Sequence, residues 1–201
     1  GELDWGDAPD GPYPTLAANN GAVHRIANGL FLGSIIDDEA DGQPHPLALG
    51  DDNDGSNDDD GVFFSSLQQG STAYVAIVAS TKGYINAWID FDLSGSWDLG
   101  EQIILNSTVV AGPNLFSFVV PSSSVVGRTA ARIRFNSTGG LGPTGYAPDG
   151  EVEDYVVGIK KNPNGGKVDW GDARDPGFPT LAASNGASHQ IDDLFLGQLV
   201  D

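Results

Sequence analysis

One motif occurs twice in the chain, and this repetition limits the architectures that the sequence can adopt. Residues 4–26 read DWGDAPDGPYPTLAANNGAVHRI, and residues 169–191 read DWGDARDPGFPTLAASNGASHQI. The match extends to Asp37, which corresponds to Asp201. The two copies begin at residues 4 and 169, and this separation is the length of a domain rather than of one coil of a solenoid. We therefore expect a tandem array, of which the chain holds one full repeat and the opening of the next. The alternative is a single domain that uses the motif at both ends.

The charge of the chain restricts its partners. It has 9 Lys and Arg residues against 28 Asp and Glu residues, a formal net charge of −19. Nucleic acids and anionic lipid surfaces attract clustered Lys and Arg, so this balance argues against both. No apolar stretch approaches the length of a membrane span, so we expect no membrane insertion. The chain has no cysteine, so disulfides cannot stabilise the fold.

Residues 62–159 have the composition and alternation of β-strands. Val, Ile, Phe and Tyr dominate the runs, and clusters of Gly, Pro, Asn and Ser separate them. The pattern predicts an all-β fold, an immunoglobulin-like antiparallel β-sandwich. The expected strands are 62–67, 72–80, 84–91, 102–108, 115–120, 128–136 and 151–159.

Three other segments surround this predicted sandwich. Residues 1–61 are rich in Pro, Gly and Asp, and we expect an irregular, acidic opening segment. Residues 160–167 read KKNPNGGK, a composition typical of a linker. Residues 168–201 begin the next repeat, and we expect them to pack on the preceding sandwich.

The most informative chemical motif is DFDLSGSWDLGE at residues 90–101. Counted from Asp90, oxygen-bearing side chains fall at positions 1, 3, 5, 9 and 12 of a twelve-residue calcium loop, with glycine at position 6. Because the flanking sequence predicts strands, this loop would lack the two helices of an EF-hand. The alternative is a solvated turn. The expected ligands are Asp90, Asp92, Ser94, Ser96 through its carbonyl, Asp98 and Glu101.

Acidic residues also crowd into residues 37–60. Two carboxylates about 4 Å apart repel by about 4 kcal/mol at an effective dielectric constant of 20. A folded cluster of them therefore needs a cation or must stay in solvent, and the alternative here is a mobile, solvated loop. We expect a metal site in this stretch, with ligands among Asp37, Asp51, Asp52, Asp54, Asp58 and Asp60.

Further acidic residues begin the last predicted strand. Alternation places Glu151 and Glu153 on one face and Asp154 on the other. We expect Glu151 and Asp154 to complete a calcium site; the alternative is an exposed acidic edge that prevents sheet-to-sheet aggregation. The repeated motif supplies Asp172, and with Asp201 it could share a calcium ion at the junction between repeats.

Catalysis has little support in the sequence. No GxSxG motif occurs, and the histidines lie in loop-like sequence, where we expect hydrogen-bonded residues rather than a zinc site. The acids could imitate a glycosidase pair, but their calcium-like spacing argues against it. We therefore expect that the protein is not an enzyme. The histidines are His24, His45 and His189.

Several aromatic residues leave open a platform that stacks on sugars. Trp88 lies in a predicted strand and is expected in the core, and Trp97 is expected to pack over the calcium loop. The full set is Trp5, Tyr13, Trp88, Trp97 and Tyr146.

Some of these motifs together resemble a known family. They are GEVEDY at 150–155, WIDFD at 88–92 and GEQI at 100–103, preceded by DWGDAPD at 4–10 and DGV at 60–62. The set resembles the GEVED domain family of bacterial secreted and surface proteins, over most of residues 1–159. The resemblance implies a β-sandwich module in a long, multidomain extracellular protein, often an adhesin or matrix component.

Together these observations predict a structural role. We expect a calcium-stabilised tandem-repeat unit of an extracellular or cell-surface bacterial fibre or stalk-like adhesin. Its partners would be neighbouring repeats or subunits of the same protein, with surface glycans as further candidates. The alternative is a carbohydrate-binding module of an exported multidomain enzyme, for which glycan binding would be lost on Trp5→Ala or Tyr13→Ala.

Overall fold

A computed structural model of the chain describes residues 2–27, 29–50, 59–163, 168–175 and 177–190. These residues form thirteen β-strands and two short 3-10 turns, without an α-helix, so the prediction of an all-β chain is confirmed. No helical segment among them is long and apolar enough to cross a membrane. The strands are β1 (Leu3–Trp5), β2 (Val23–Arg25), β3 (Val62–Phe64), β4 (Leu67–Gln68), β5 (Thr72–Ala79), β6 (Gly83–Ile89), β7 (Gln102–Val109), β8 (Gly112–Val119), β9 (Gly127–Asn136), β10 (Tyr146–Ala147), β11 (Glu151–Lys160), β12 (Val168–Trp170) and β13 (Ser188–Gln190).

Two sheets share one apolar core in residues 59–163, which we call the two-sheet body. One sheet has the strand order β4-β11-β9-β6-β7, and the other has the order β3-β5-β8. All neighbours are antiparallel except β4 and β11. Strand β5 shows why these residues form strands: its alternate residues Ala73, Val75, Ile77 and Ala79 are buried in the core.

The predicted strands lie within a few residues of the observed ones, with one exception. The run 62–67 forms two short strands in different sheets. Val62 pairs with Ile77 in the three-stranded sheet, whereas Leu67 pairs with Ile159 in the five-stranded sheet. The two serines between β3 and β4 therefore mark the place where the chain passes from one sheet to the other.

The opening motif forms a small sheet of its own, which covers one face of the five-stranded sheet. Residues 3–25 are called the N-terminal arm. In this arm β1 pairs with β2 in antiparallel orientation, and β2 also pairs with β10 in parallel orientation. The arm lies against the faces of β9 and β11 that point away from the core. Its contacts include the Asp4 carboxylate, which accepts the Val152 N–H at 2.7 Å, and the Ala8 N–H, which donates to Asp154 at 2.9 Å. Both faces of β9 and β11 are consequently covered.

Residues 168–190, which we call the C-terminal arm, repeat this local fold. Strands β12 and β13 pair in the same register as β1 and β2, with Asp169 opposite His189 as Asp4 is opposite His24. The arm is exposed where the first copy is buried: Trp170 is 42% exposed, against 8% for Trp5. The predicted packing of residues 168–201 on the preceding body remains a prediction, and residues 191–201 lie outside the described part.

Candidate metal centre

The 90–101 motif forms the connection between two core strands. Strand β6 ends at Ile89 and β7 begins at Gln102, so the loop has strand flanks, as its sequence predicts. Because the strands are antiparallel, the first and last loop positions meet. The Ile89 N–H donates to the Glu101 carbonyl at 3.0 Å, and the Phe91 N–H donates to the Glu101 carboxylate at 2.7 Å.

The turn inside the loop depends on its glycine. Gly95 has φ +84°, a conformation that other residues adopt only with strain. A Cβ atom at this position would lie 2.8 Å from Cβ of Pro12 in the N-terminal arm. The tight turn lets the Gly95 N–H donate to the Asp90 carboxylate at 2.9 Å and the Ser94 N–H donate to the Asp92 carboxylate at 2.9 Å. Glycine is therefore required both by the turn and by the packing of the arm.

Three carboxylates converge in this loop. Asp90, Asp92 and Glu101 each offer an oxygen, and these oxygens lie within 4.8 Å of one another. Asp90 and Glu101 are buried, while Asp92 is exposed on the open side. Burial raises the pKa of Glu101, backbone N–H donors oppose that rise, and the charges of Asp90 and Asp92 add to it. Oxygen ligands that converge from one open side suit a hard divalent cation such as calcium.

The other predicted loop ligands lie beside these three. The Ser94 hydroxyl oxygen is 3.1 Å from the Ser96 hydroxyl oxygen and 3.5 Å from an Asp98 carboxylate oxygen. Hydrogen bonds from the Ser94 side chain and backbone lower the pKa of Asp92. The structure thus brings Asp90, Asp92 and Glu101 together, with the side chains of Ser94 and Asp98 beside them, and the role of the Ser96 carbonyl stays a prediction.

The acidic residues of 37–60 are described only in part. Asp51, Asp52, Asp54 and Asp58 lie outside the described residues, as does Asp201. Asp60 accepts the Ser34 N–H at 2.8 Å. Asp172 is exposed on the C-terminal arm.

Beside Asp37, a second group of carboxylates lies close together. Burial raises the pKa of Glu39 strongly, and both a hydrogen bond with Asp37 and the charge of Asp4 add to this rise. The Glu39 carboxylate also accepts the Trp5 N–H at 2.9 Å, which places it against the N-terminal arm.

Glu151 and Asp154 lie on opposite faces of β11, and both are buried. The alternative of an exposed acidic edge is wrong, because β11 is flanked by β4 and β9 and covered by the arm. The Asp154 carboxylate forms an ion pair with Arg132 at 2.7 Å. The Glu151 carboxylate instead accepts the Leu32 N–H on the core side of the strand.

Sequence reasoning did not identify two functional arginines on β9. Arg132 and Arg134 share one face of the strand, as alternation predicts, but both are fully buried under the arm. Arg132 donates to both carboxylate oxygens of Asp154 at 2.7 Å and to the carbonyls of Pro14 and Pro143 at 2.8 and 3.0 Å. The sequence does carry one signal, because Arg132 and Arg134 alternate with apolar residues in a predicted strand.

Arg134 holds a second set of backbone carbonyls. It donates to the carbonyls of Gly142, Thr144 and Gly145 at 2.9, 2.8 and 2.7 Å. Burial and the neighbouring charge of Arg132 lower the pKa of Arg134 to about 9. The loop before β10 is therefore tied to β9 through its own backbone.

His24 lies on strand β2 and is fully buried, so the expectation of a loop histidine is wrong, although that of hydrogen bonding is confirmed. Its Nδ1 lies 2.9 Å from the Asp149 carbonyl, and its Nε2 accepts the Arg134 Nε–H at 3.0 Å. Nε2 must then be unprotonated, which fixes a neutral ring with the proton on Nδ1. Burial and the charge of Arg134 lower the pKa of His24 well below its usual value.

Protonation of His24 is therefore expected to detach the arm in acid. The folded state resists the proton that the unfolded chain binds near pH 6.5, so this stabilisation is complete above that pH and is lost as the pH falls below it. The loss per pH unit is at most about 1.4 kcal/mol. Urea unfolding of the wild type and of His24→Gln at pH 7 and 5 measures the difference in slope. The raised pKa of Glu39 makes the folded state more stable as the pH falls. This effect is the same in the wild type and in His24→Gln, so it does not change the difference in slope.

The control for this prediction is His189→Gln, which removes the exposed histidine of the C-terminal arm. It should leave the slope between pH 7 and 5 as in the wild type. Equal slopes for His24→Gln and the wild type would contradict the role given to His24.

The N-terminal arm also touches the carboxylate loop directly. The Tyr13 hydroxyl donates to the Asp90 carboxylate at 2.6 Å, and the Tyr13 ring lies 4.7 Å from the Trp97 ring. The Arg132 guanidinium lies 4.5 Å from the centre of the same Trp97 ring. The loop, the arm and the buried ion pair are thus parts of one contact network.

Most rings that could form a sugar platform face inward. Trp5, Tyr13 and Trp88 are buried, and the Trp97 ring contacts Tyr13 and Arg132. Tyr146 is exposed on β10.

The described residues bury far more acid than base. Eight carboxylates are buried, against two basic side chains, Arg132 and Arg134. One ion pair joins residues within this part of the chain, that of Arg132 with Asp154. Buried charges are costly unless they are paired or hydrogen-bonded, and backbone N–H groups donate to several of these acids, such as that of Val152 to Asp4 and that of Gly50 to Asp7. The buried acids are Asp4, Asp7, Asp90, Glu101, Asp149, Glu151, Glu153 and Asp154.

Comparison with known families identifies the centre of the two-sheet body. The family model described as the GEVED domain matches residues 84–158, which run from β6 to β11 and include the carboxylate loop. The curated proteins and the solved structures give no match to the chain. The GEVED sequence itself begins β11, where its acids are buried between the core and the arm. Residues 84–158 therefore belong to the GEVED domain family.

Proposed function

We propose that this protein is a structural, calcium-stabilised unit of a tandem-repeat protein, part of a bacterial fibre or stalk-like adhesin outside the cell or on its surface. The observation that carries the proposal is the convergence of Asp90, Asp92 and Glu101. They occupy positions 1, 3 and 12 of a loop with calcium spacing, and they join two core strands.

The proposed architecture is an immunoglobulin-like β-sandwich made by the two sheets. Their inward side chains form one core cluster, to which β3 and β5 contribute from one sheet and β6, β9 and β11 from the other. The second sheet face of β9 and β11 is occupied by the arm. A unit of this kind offers rigid connection points at the arm and at the end of β11.

Calcium would stiffen this unit through the carboxylate loop. A cation between Asp90 and Glu101 links the end of β6 to the start of β7. Tyr13 and Pro12 then connect the loop to the arm, through the Asp90 hydrogen bond and the close approach to Gly95. Binding the folded state alone adds stability by mass action.

The proposed setting fits weak binding. Extracellular modules bind calcium with dissociation constants of about 10⁻⁴–10⁻³ M, so millimolar calcium fills about half of the sites or more. The chain has no cysteine, so a metal would take the stabilising role that disulfides have in many secreted domains. The partners in this proposal are other repeats or subunits of the same protein, and electron microscopy of the native material should show fibres.

Calorimetric titration with calcium tests the site. Asp90→Asn removes a buried charged ligand, and Glu101→Gln removes the ligand expected to bind through two oxygens. Each is expected to weaken calcium binding at this site roughly tenfold or more, because calcium affinity depends on the number of charged ligands.

Asp38→Asn is the matched control, since it removes one exposed acid outside the loop. It should bind calcium like the parent. Unchanged binding in both Asp90→Asn and Glu101→Gln would reject the loop as the calcium site.

A further inference from the structure

The two arms have the same internal structure. In each, a 3-10 turn ends at an asparagine in the left-handed region, Asn20 with φ 58° and Asn185 with φ 56°. In each, an aspartate accepts backbone N–H groups five and six residues later: Asp10 from Thr15 and Leu16, and Asp175 from Thr180 and Leu181. The C-terminal arm thus folds without the two-sheet contacts that surround the first.

The exposed face of the C-terminal arm is the face by which the N-terminal arm binds its body. Phe178 is 68% exposed, whereas its counterpart Tyr13 is 7% exposed. His189 and Asp172 are exposed, whereas His24 and Asp7 are fully buried. The C-terminal arm therefore exposes the surface that, in the N-terminal arm, is buried against the two-sheet body.

Gly6 and Gly171 show whether glycine is required by the fold of the arm itself or by its contact with a body. A Cβ atom on Gly6 would lie 2.5 Å from an Asp154 carboxylate oxygen and 2.8 Å from an Arg132 nitrogen. A Cβ atom on Gly171 would meet only Thr180, at the ordinary distance of 3.8 Å. The free arm has room for a side chain at this position, and only a docked arm requires glycine.

The chemistry that a body recognises is present in both arms. Arg132 donates to the Pro14 carbonyl, which Pro179 supplies in the second copy. The Val152 N–H needs a carboxylate at the place of Asp4, and Asp169 supplies it. Two contacts with the loop are missing, since Phe178 has no hydroxyl to donate to an Asp90 counterpart and Gly177 stands at the place of Pro12.

On the body of residues 59–163, the N-terminal arm already occupies the face of β9 and β11 that this surface would bind. The Asp154 and Arg132 side chains of this body engage the N-terminal arm at Ala8 and Pro14. We infer that the C-terminal arm docks on a second two-sheet body of the same kind, one that follows it in the same polypeptide as residues 59–163 follow residues 3–25. This inference rests on the tandem-repeat part of the proposed function but not on its calcium.

The first experiment tests whether the second arm is competent to cover a body. In the full chain, residues 3–25 are replaced by the sequence of residues 168–190. We expect a folded protein whose melting temperature lies within about 10 °C of the parent, because one hydrogen bond and the packing of Pro12 and Val23 are lost. A chimera that melts without a cooperative transition overturns the inference.

The second experiment detects docking itself. Residues 38–163 are appended in frame after Asp201, the counterpart of Asp37, and amide hydrogen exchange of residues 168–190 is followed. We expect exchange of the β12 and β13 amides at least tenfold slower than in the parent chain. Equal exchange rates in the two proteins overturn the inference.

Two glycine variants of the extended chain give the matched comparison. Gly171→Ala should restore fast exchange, because its methyl group would meet the carboxylate and guanidinium that exclude one from Gly6. Gly177→Ala should keep the slow exchange, because the first arm carries Pro12 at that place. Equal effects of both variants overturn the inference.

Light scattering of the parent chain identifies docking between molecules. A monomer with fast arm exchange agrees with a partner in the same polypeptide, whereas a dimer with slow arm exchange overturns it. The calcium titration measures the 90–101 loop and the exchange experiment measures residues 168–190, so the two proposals can fail separately.

Discussion

Chelation of calcium with EDTA is expected to lower the melting temperature of the protein by about 5–10 °C. At a calcium concentration of about 10 mM, which is one hundred times a dissociation constant of about 10⁻⁴ M, one site adds about 2.7 kcal/mol to the free energy of unfolding. For a chain of this length, each kcal/mol corresponds to about 2–4 °C. The effect is large because the carboxylates of Asp90 and Glu101 are buried together, and without a cation only hydrogen-bond donors, such as the Tyr13 hydroxyl and the Phe91 N–H, offset their repulsion.

Scanning calorimetry in about 10 mM calcium and in EDTA measures this shift. Asp90→Asn should melt at nearly the same temperature in both buffers, whereas Asp38→Asn should keep the parent's shift. Magnesium should restore less stability than calcium, because it is smaller and demands regular octahedral geometry. A shift below about two degrees in the parent protein would count decisively against calcium as its stabilising ion.

Arg132→Met is expected to be the most destabilising single substitution, at about 3–5 kcal/mol. It leaves the Asp154 carboxylate buried without its ion-pair partner and removes the donor to the Pro14 and Pro143 carbonyls. It also removes the guanidinium from the Trp97 ring. Urea denaturation in calcium measures the loss in the free energy of unfolding.

Arg128→Met provides the control, because Arg128 is exposed on the same strand. Its effect should stay within about 0.5 kcal/mol, as for most surface substitutions. The double variant Arg132→Met with Asp154→Leu should recover part of the loss, since it removes the unpaired charge. A cost below about 1 kcal/mol for Arg132→Met alone would show that the ion pair does not hold the arm.

The elements that could be predicted from sequence are those with a local signal. Strand β5 alternates buried and exposed residues at period two, so its span follows directly from its letters. The 90–101 loop likewise carries its ligand spacing and its glycine within twelve consecutive residues. Both follow from geometry that the chain sets over a few residues.

The rest depends on contacts between distant parts of the chain. Asp4 and Val152 are 148 positions apart, and nothing local to either indicates their hydrogen bond. Alternation places Arg132 and Arg134 on one face of β9, which by itself suggests a solvated face. Only the covering arm turns that face into a buried one, and the arm's irregular sequence gives no sign of where it binds.

The manner in which the β9 arginines bind has a consequence for how such sequences diverge. Their guanidinium groups hold backbone carbonyls, among them those of Pro14 and Gly145, and a carbonyl survives almost any substitution of the residue that bears it. Mutations can therefore accumulate in the segments that bear these carbonyls without removing their hydrogen bonds to Arg132 and Arg134. The two copies differ at one such position, because Val23, whose carbonyl accepts an Arg134 N–H at 3.4 Å, corresponds to Ser188.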